Sequence, residues 1–342
     1  MSLKNLNVKI KIPKLLKNKL KNKRINQIYR NFEEILKIDK NFVVAVSGGP
    51  DSLALAFLAK IYSIKKNLNA KFLIVDHKLR SNSSKEANIV KKILKKNYID
   101  SEILRWNGKK PTKNIQAKAR KKRYELLLSK SKALKINNIL LGHHQDDLFE
   151  NFFIRFLRGS GLKGLISMDF KTKLSNINLL RPLLNQKKQD LEFISNYIFQ
   201  FYISDPSNKD EKYQRIRVRK LIEDLQKNGL SKDKFNMTIK NLKHSDVVIN
   251  YYVNQNLKKN SFFSVKKNSL ILNQIFFQQP HEVVFRAFSD SLKRISKRYY
   301  PVRGKKLDKI ILDISNNSTF NGTLGGCIIK KVNQSVIISK EN

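Results

Sequence analysis

The feature that most constrains the fold of this chain is the stretch Val43-Val44-Ala45-Val46-Ser47-Gly48-Gly49-Pro50-Asp51-Ser52. A short apolar run ends in a hydroxyl, two glycines, a proline, an acid and a second hydroxyl. Leu53-Ala54-Leu55-Ala56-Phe57-Leu58-Ala59 then reads as a helix with a buried face. Strand, tight polar turn and helix is the layout in which backbone N–H groups at a helix N-terminus face an anion. Gly48 and Gly49 permit the positive φ and close backbone approach that a phosphate cradle needs. No Lys followed by Ser or Thr closes the turn, so it is not a Walker A loop. Gly-Gly before a helix is by itself an ordinary βα turn; the whole string after a buried strand favours the phosphate reading.

From Phe42 the pattern alternates between strand and helix. Strands are predicted at Val43 to Val46, Lys71 to Val75, Ser101 to Trp106 and Asn138 to Leu141, with helices at Ser52 to Lys65, Ser84 to Asn97, Lys113 to Ala133 and Asp146 to Leu157. Such alternation with short turns predicts an α/β fold, a parallel sheet with helices on both faces. The polar clusters Ser47–Asp51, Asp76–Arg80 and Gly142–Asp147 all follow strand ends, where ligands of such sheets bind, and are expected to converge. A basic arm over residues 1–40 precedes this α/β domain, placed at 41–220. A helical region over 221–300 and a small α+β C-terminal lobe over 301–342 follow. The arm reads either as a solvated tail or as a phosphate-contacting segment.

The chain has 70 Lys and Arg against 27 Asp and Glu in 342 residues, a formal charge of +43. Such a field favours a polyanion, nucleic acid first; an AT-rich coding bias toward Lys, Asn and Ile accounts for part of it. Cys327 is the only cysteine, which excludes an intramolecular disulfide, a Cys-x-x-Cys redox pair and a cysteine-held cluster within one chain. No apolar run approaches a membrane span, and the N-terminus lacks a secretory pattern. A cytoplasmic protein without a membrane partner is expected, a basic organelle transit segment being the alternative.

Gly142-His143-His144-Gln145-Asp146-Asp147-Leu148-Phe149-Glu150 is the second strong string. On a helix starting near Gln145, Asp146 and Glu150 stand at i,i+4, and Asp147 and Glu150 at i,i+3, so three carboxylates come within reach of one another. Acids at a helix N-terminus also suit its dipole. In a chain so poor in acids the cluster suggests Mg²⁺ held against polyphosphate. Adjacent histidines point in different directions, which argues against zinc. The nearby Phe152, Phe153 and Phe156 read as core.

Val75-Asp76-His77-Lys78-Leu79-Arg80 is the third string. SGGPDS resembles the pyrophosphate loop of the N-type ATP pyrophosphatase (PP-loop) superfamily. SGGPDS, VDHKLR and GHHQDDLFEN in that order resemble tRNA(Ile)-lysidine synthetase. The likeness continues through Gln116 to Tyr124, Arg158-Gly159-Ser160-Gly161-Leu162-Lys163-Gly164-Leu165, Arg181-Pro182-Leu183-Leu184, Asp205-Pro206-Ser207-Asn208 and Arg215-Ile216-Arg217-Val218-Arg219. It is dense from about 42 to 220 and sparse beyond, apart from Thr323-Leu324-Gly325-Gly326-Cys327. Asn151 stands where the family often has Thr, and the C-terminal region reads as abbreviated.

The resemblance implies a ligase that joins free L-lysine to carbon 2 of the wobble cytidine of tRNA(Ile) with a CAU anticodon. It uses ATP and Mg²⁺ and releases pyrophosphate and AMP through an adenylated base. It implies ATP binding by Ser47, Gly48, Gly49, Pro50, Asp51, Ser52, Asp76, His77 and His143, and Mg²⁺ binding by Asp51, Asp146 and Asp147. Catalytic roles fall to Asp51, Asp147 and Glu150. Arg80, Arg120, Arg123, Arg158 and Arg217 are the candidates for tRNA or phosphate contact. A tRNA thiolation enzyme of the same superfamily is the nearest rival, and a lone cysteine opposes its cysteine-dependent form. A GMP- or asparagine-synthetase-like ligase would need neither +43 nor the second and third strings, and a non-catalytic RNA-binding relative would not be expected to keep the strings intact.

Overall fold

A computed structural model describes residues 12–79, 82–108, 115–174, 176–203, 212, 214–297 and 302–341. The chain divides into two compact units, Met1–Gly229 and Leu230–Asn342. Arg80, the Asp205–Asn208 string and the first eleven residues of the basic arm lie outside the described residues.

The first unit is built on a six-stranded sheet in the order β3-β2-β1-β4-β6-β5. Its strands are β1 (Phe42–Val46), β2 (Ala70–Asp76), β3 (Ser101–Arg105), β4 (Asn138–Leu140), β5 (Lys171–Leu174) and β6 (Ile177–Leu180). All pairings are parallel except the antiparallel edge pair of β5 with β6. Side-chain alternation splits the core into two layers, as a sheet covered on both faces requires. Phe42, Val44, Val46, Phe72, Ile74 and Leu140 pack with α2 (Lys23–Leu36), α3 (Pro50–Lys65), α4 (Ser83–Lys96) and α8 (Lys188–Phe199). Val43, Leu73, Ile139 and Leu179 pack instead with Leu127 and Leu128 of α5 (Ile115–Ala133). The expected α/β architecture is thus observed, and β1 lies between β2 and β4, the point where connections leave in opposite directions.

The described part of the basic arm is neither a tail nor a free arm. Leu16 of α1 (Lys14–Lys19) and Ile25, Ile28, Tyr29, Phe32 and Leu36 of α2 are buried in the core that holds β1 and α3. Their spacing is one apolar helix stripe, with lysines on the remaining surface. The Asn22 side chain caps α2 by accepting from the Ile25 N–H at 3.2 Å. Tyr62 of α3 ties the connection to β1, donating to the Ile38 carbonyl at 2.7 Å and accepting from the Ile38 N–H at 3.0 Å.

The second unit holds the helical region and the C-terminal strands that were expected. β7 (Ser261–Ser264) and β8 (Ser269–Leu272), within the span read as helical, join β9 (Phe320–Leu324), β10 (Cys327–Val332) and β11 (Ser335–Lys340). The five form an antiparallel sheet in the order β7-β8-β11-β10-β9. Gly325 and Gly326, at φ +66° and +79°, make the tight turn between β9 and β10. α10 (Lys232–Asn260), α12 (His281–Ser296) and α13 (Gly304–Asn316) complete this unit with the short α11 (Gln274–Phe277). Its core includes Phe276, Phe288, Leu307, Ile329 and the single thiol, Cys327.

Phe32 is fully buried with its ring 6.1 Å from that of Tyr62. Phe32→Ala is expected to cost about 3–5 kcal/mol in urea unfolding of the first unit; an unchanged midpoint would make α2 an appendage.

Candidate active site

The loop between β1 and α3 is shaped by Gly48 and Ser52. Gly48 has φ +88°, and a Cβ there would fall 2.6 Å from Val90 Cγ2 and 2.8 Å from Ile203 Cδ1. The buried Ser52 hydroxyl accepts from the Ser47 N–H, the Gly48 N–H and the Ser47 hydroxyl, each at 3.1 Å, and donates to the Gly49 carbonyl at 3.0 Å. Ser52, expected at the ATP phosphates, fixes the loop from within. Pro50 occupies the first turn of α3 without an N–H, so the amides left open at this helix start belong to Gly49, Asp51 and Ser52.

β4 delivers the second motif beside this turn. A Cβ on Gly142 would lie 3.2 Å from the Asp51 carbonyl group and from Ser52 Cα, so glycine lets the two segments touch. His144 caps α6 (Gln145–Phe156): its Nδ1 accepts from the Asp146 N–H at 3.2 Å, and Asp147 Oδ2 accepts from the His144 N–H at 3.1 Å. With Nδ1 accepting, the proton of the neutral ring is assigned to Nε2. That nitrogen stands 3.7 Å from both Asp51 Oδ2 and Asp147 Oδ2. Two carboxylates from different elements thus meet at one buried imidazole.

Burial pushes the Asp51 carboxyl up to about 6, with Asp147 adding to the rise and His144 opposing it. Burial also acts to raise Asp147, but His143, His144 and the His144 N–H outweigh it and hold that acid below its usual range. His143 is driven down to about 3 by burial, further by the charges of Arg181, Arg120 and Arg123, against the pull of Asp147. It is a neutral imidazole at physiological pH.

Glu150 sits one turn along α6 and is buried. Its Oε1 accepts from Arg219 Nε at 2.5 Å, while Oε2 lies 3.9 Å from Arg215 Nε and has no hydrogen-bond partner. Both arginines belong to α9 (Gln214–Lys227), on one face at i,i+4. They are the site residues that sequence reasoning passed over in favour of Arg217, two positions away, whose Nη1 donates to the Lys212 carbonyl. The i,i+4 spacing of Arg215 and Arg219 was the available signal. Burial raises the Glu150 carboxyl above its ordinary range, and Arg219 offsets only part of that rise. Asp146, at the first turn of α6, acts on Arg219. Arg158 donates to Gln214 Oε1 at 2.6 Å, and Asn151 to Ser167 Oγ at 3.2 Å.

At the end of β2, Asp76 is 2% exposed and saturated by its own chain. It accepts from the Lys78 N–H at 2.9 Å, Ser83 Oγ at 2.8 Å and Ser84 Oγ at 2.6 Å. Burial would raise this acid, but the three hydrogen bonds win and hold it below the usual carboxylate range. It shapes the turn into α4 at the strand end where the nucleotide was expected. His77 is lowered by burial and by Arg123, and its Nδ1 is buried without a hydrogen-bond partner. Arg123 of α5 thus acts on both His77 and His143, and Arg120 on His143, which gathers the β2 and β4 ends into one basic cluster.

The residues fit a magnesium ion of the kind held jointly by protein and phosphate. Asp51 Oδ1 is buried without a hydrogen-bond partner beside a second carboxylate. Among the described residues no three His, Cys, Asp or Glu side chains form a ready metal cage. Mg²⁺ in phosphate-transfer sites commonly takes one or two carboxylates, with substrate oxygens and water completing the shell.

The fold and these motifs define a PP-loop protein, and the PP-loop domain model matches residues 17–225. The tRNA(Ile)-lysidine synthase of Orientia tsutsugamushi is 37% identical over 322 residues, covering 91% of this chain and 71% of that protein. That of Wolbachia pipientis wMel is 34% identical, covering 87% and 70%. The chain belongs to the tRNA(Ile)-lysidine synthase family. Among solved structures, the U34-tRNA thiolase of Methanococcus maripaludis with its [4Fe-4S] cluster shares the fold at 19% identity and a TM-score of 0.56, over 65% of this chain and 79% of that one.

Two outcomes follow from the loop geometry. Gly48→Ala is expected to abolish ATP-dependent AMP formation while circular dichroism stays native. Asp76→Asn is expected to destabilise the chain by about 1–3 kcal/mol at neutral pH. Because the Asp76 pKa is lowered in the folded state, that difference is present above about pH 4, the unfolded carboxyl value, and vanishes as pH falls through the folded one. A pH-independent difference in unfolding midpoint would contradict this account.

Proposed function

We propose that this chain joins free L-lysine to carbon 2 of the wobble cytidine of tRNA(Ile) with a CAU anticodon, using ATP and releasing pyrophosphate and AMP. Family membership supports the reaction. The observation that carries the site assignment is the meeting of Asp51 and Asp147 at His144 beside the β1–α3 turn.

In the first step the cytidine carbonyl oxygen attacks the α-phosphorus and pyrophosphate leaves. The amides at the start of α3 and the basic cluster of Arg120 and Arg123 favour the phosphates. Asp51 and Asp147 would hold Mg²⁺, which when bound supplies charge neutralisation at the phosphates. Neutral His143 stands ready to hydrogen-bond without adding charge. In the second step the lysine ammonium gives a proton to the Glu150 carboxylate, the freed ε-amine attacks carbon 2, and AMP leaves with the former carbonyl oxygen and its bonding pair. Glu150 Oε2, the oxygen that Arg219 leaves open, is the acceptor assigned to the lysine ammonium. Arg219 and Arg215 keep that acid from standing unpaired in a buried place.

The test is AMP release with ATP, Mg²⁺, lysine and tRNA(Ile) bearing CAU, against a tRNA with uridine at the wobble position. AMP is expected only with lysine and cytidine together; lysine-independent AMP would leave the superfamily assignment and remove the substrate. Asp51→Asn and Asp147→Asn are expected to lower turnover at least about 100-fold. Glu150→Gln is expected to raise KM for lysine more than KM for ATP. An unchanged lysine KM would remove Glu150 from the lysine pocket.

A further inference from the structure

Of the aromatic residues of α6, Phe149 is buried, Phe152 and Phe153 are half-buried and Phe156 is exposed. In the first half of the helix Gln145, Leu148, Phe149 and Glu150 are buried, and beyond Glu150 no residue is. Phe156 is 60% exposed and Leu157, just past the helix end, 56%. Phe152 and Phe156, at i,i+4, stack with ring planes 7° apart and centroids at 6.3 Å, and Phe153 meets Phe152 edge-on at 5.5 Å. A helix that only needed to cover the sheet would carry polar groups on this side. We propose that this outer half of α6, with Phe156 at its exposed end, is a base-stacking platform for the anticodon-loop nucleotides that flank the target cytidine.

Position and charge select that occupant. The platform shares one rigid helix with Asp147 and Glu150, so its register to the reacting groups is fixed. Phe156 lies six residues beyond Glu150, about 9 Å along the axis. Stacked bases rise about 3.4 Å each, so that separation is comparable to two to three stacked bases. Residues 151–157 contain no acid. Arg155 and Arg158 are exposed in the same stretch of chain, Arg158 donating to Gln214 Oε1, and Arg215 and Arg219 of α9 stand beside Glu150 of α6. Aromatic faces interleaved with arginines suit a single strand whose bases stack and whose phosphates need countercharge. The inference rests on the lysidine reading for which loop is bound.

The experiment measures binding of a CAU anticodon stem-loop RNA to the full chain carrying Phe156→Ala, Phe156→Leu or Phe156→Tyr, by fluorescence anisotropy across a salt series. Ala and Leu are expected to weaken binding by about 5- to 100-fold, and Tyr, which keeps a ring, to stay within about twofold. Loss of stacking is expected to leave the slope of log Kd against log salt unchanged, whereas Arg158→Gln is expected to flatten it by about 1. Equal affinity of Phe156→Leu and the unsubstituted chain would overturn the platform. So would sedimentation showing that Phe156→Ala splits a dimer without changing RNA affinity, since a second copy would then cover the face. If Phe156→Leu weakens RNA binding while AMP release proves independent of lysine, the platform stands and the lysidine reading falls.

Discussion

Two chain segments can approach closely only where one of them lacks a side chain, and the site depends on such an approach. Gly142, after β4, lies against the backbone of Asp51 and Ser52 at the start of α3, where any Cβ would meet atoms at 3.2 Å. That approach carries Asp51 to the imidazole that also faces Asp147. Because β1 and β4 are neighbours in the sheet, both segments leave parallel strands at the same edge, and the glycine sets how near they come.

The electrostatics follow from concentrating scarce acids. The chain carries 70 cationic side chains against 27 acids, yet Asp51, Asp147 and Glu150 crowd into one place. Burying carboxylates near each other is costly unless a counter-charge enters. Glu150 draws a counter-charge from Arg219 of α9 yet keeps Oε2 without a hydrogen-bond partner, and Asp51 keeps Oδ1 unpartnered; burial raises both carboxyls. The group therefore presents two open carboxylate oxygens, one at the β1–α3 turn and one a turn along α6. Around them a basic surface draws polyanions in and gives the buried acids a favourable field.

The β1–α3 turn and the α6 N-terminus were legible because each combines a strong period with diagnostic small or acidic residues. Other features were hidden by charge. The lysines of α1 and α2 masked an apolar stripe from Ile25 to Leu36 that completes the core. β5, β6, β7 and β8 are four residues each, too short for a period to emerge, and only pairing to neighbours makes them strands. Ser52 and Asp76 were read as ligand contacts from their place in motifs; their hydrogen bonds within the chain were not legible there. Phe152, Phe153 and Phe156 were read as core because aromatic spacing on a helix marks an apolar face without saying what covers it.

The sequence by itself determined the parallel α/β sheet, the phosphate turn, the order of the polar clusters along the strand ends and the family of the chain. These rest on local rules, namely side-chain period, glycine conformation and residues adjacent in a motif. Only the tertiary structure decided that Glu150 pairs with Arg219, sixty-nine positions away, that Asp51 and Asp147 meet at His144, and that Phe156 faces outward. Those outcomes depend on how helices rotate and approach one another. Helix rotation is fixed by the sum of many packing contacts, and no local stretch of sequence contains that sum.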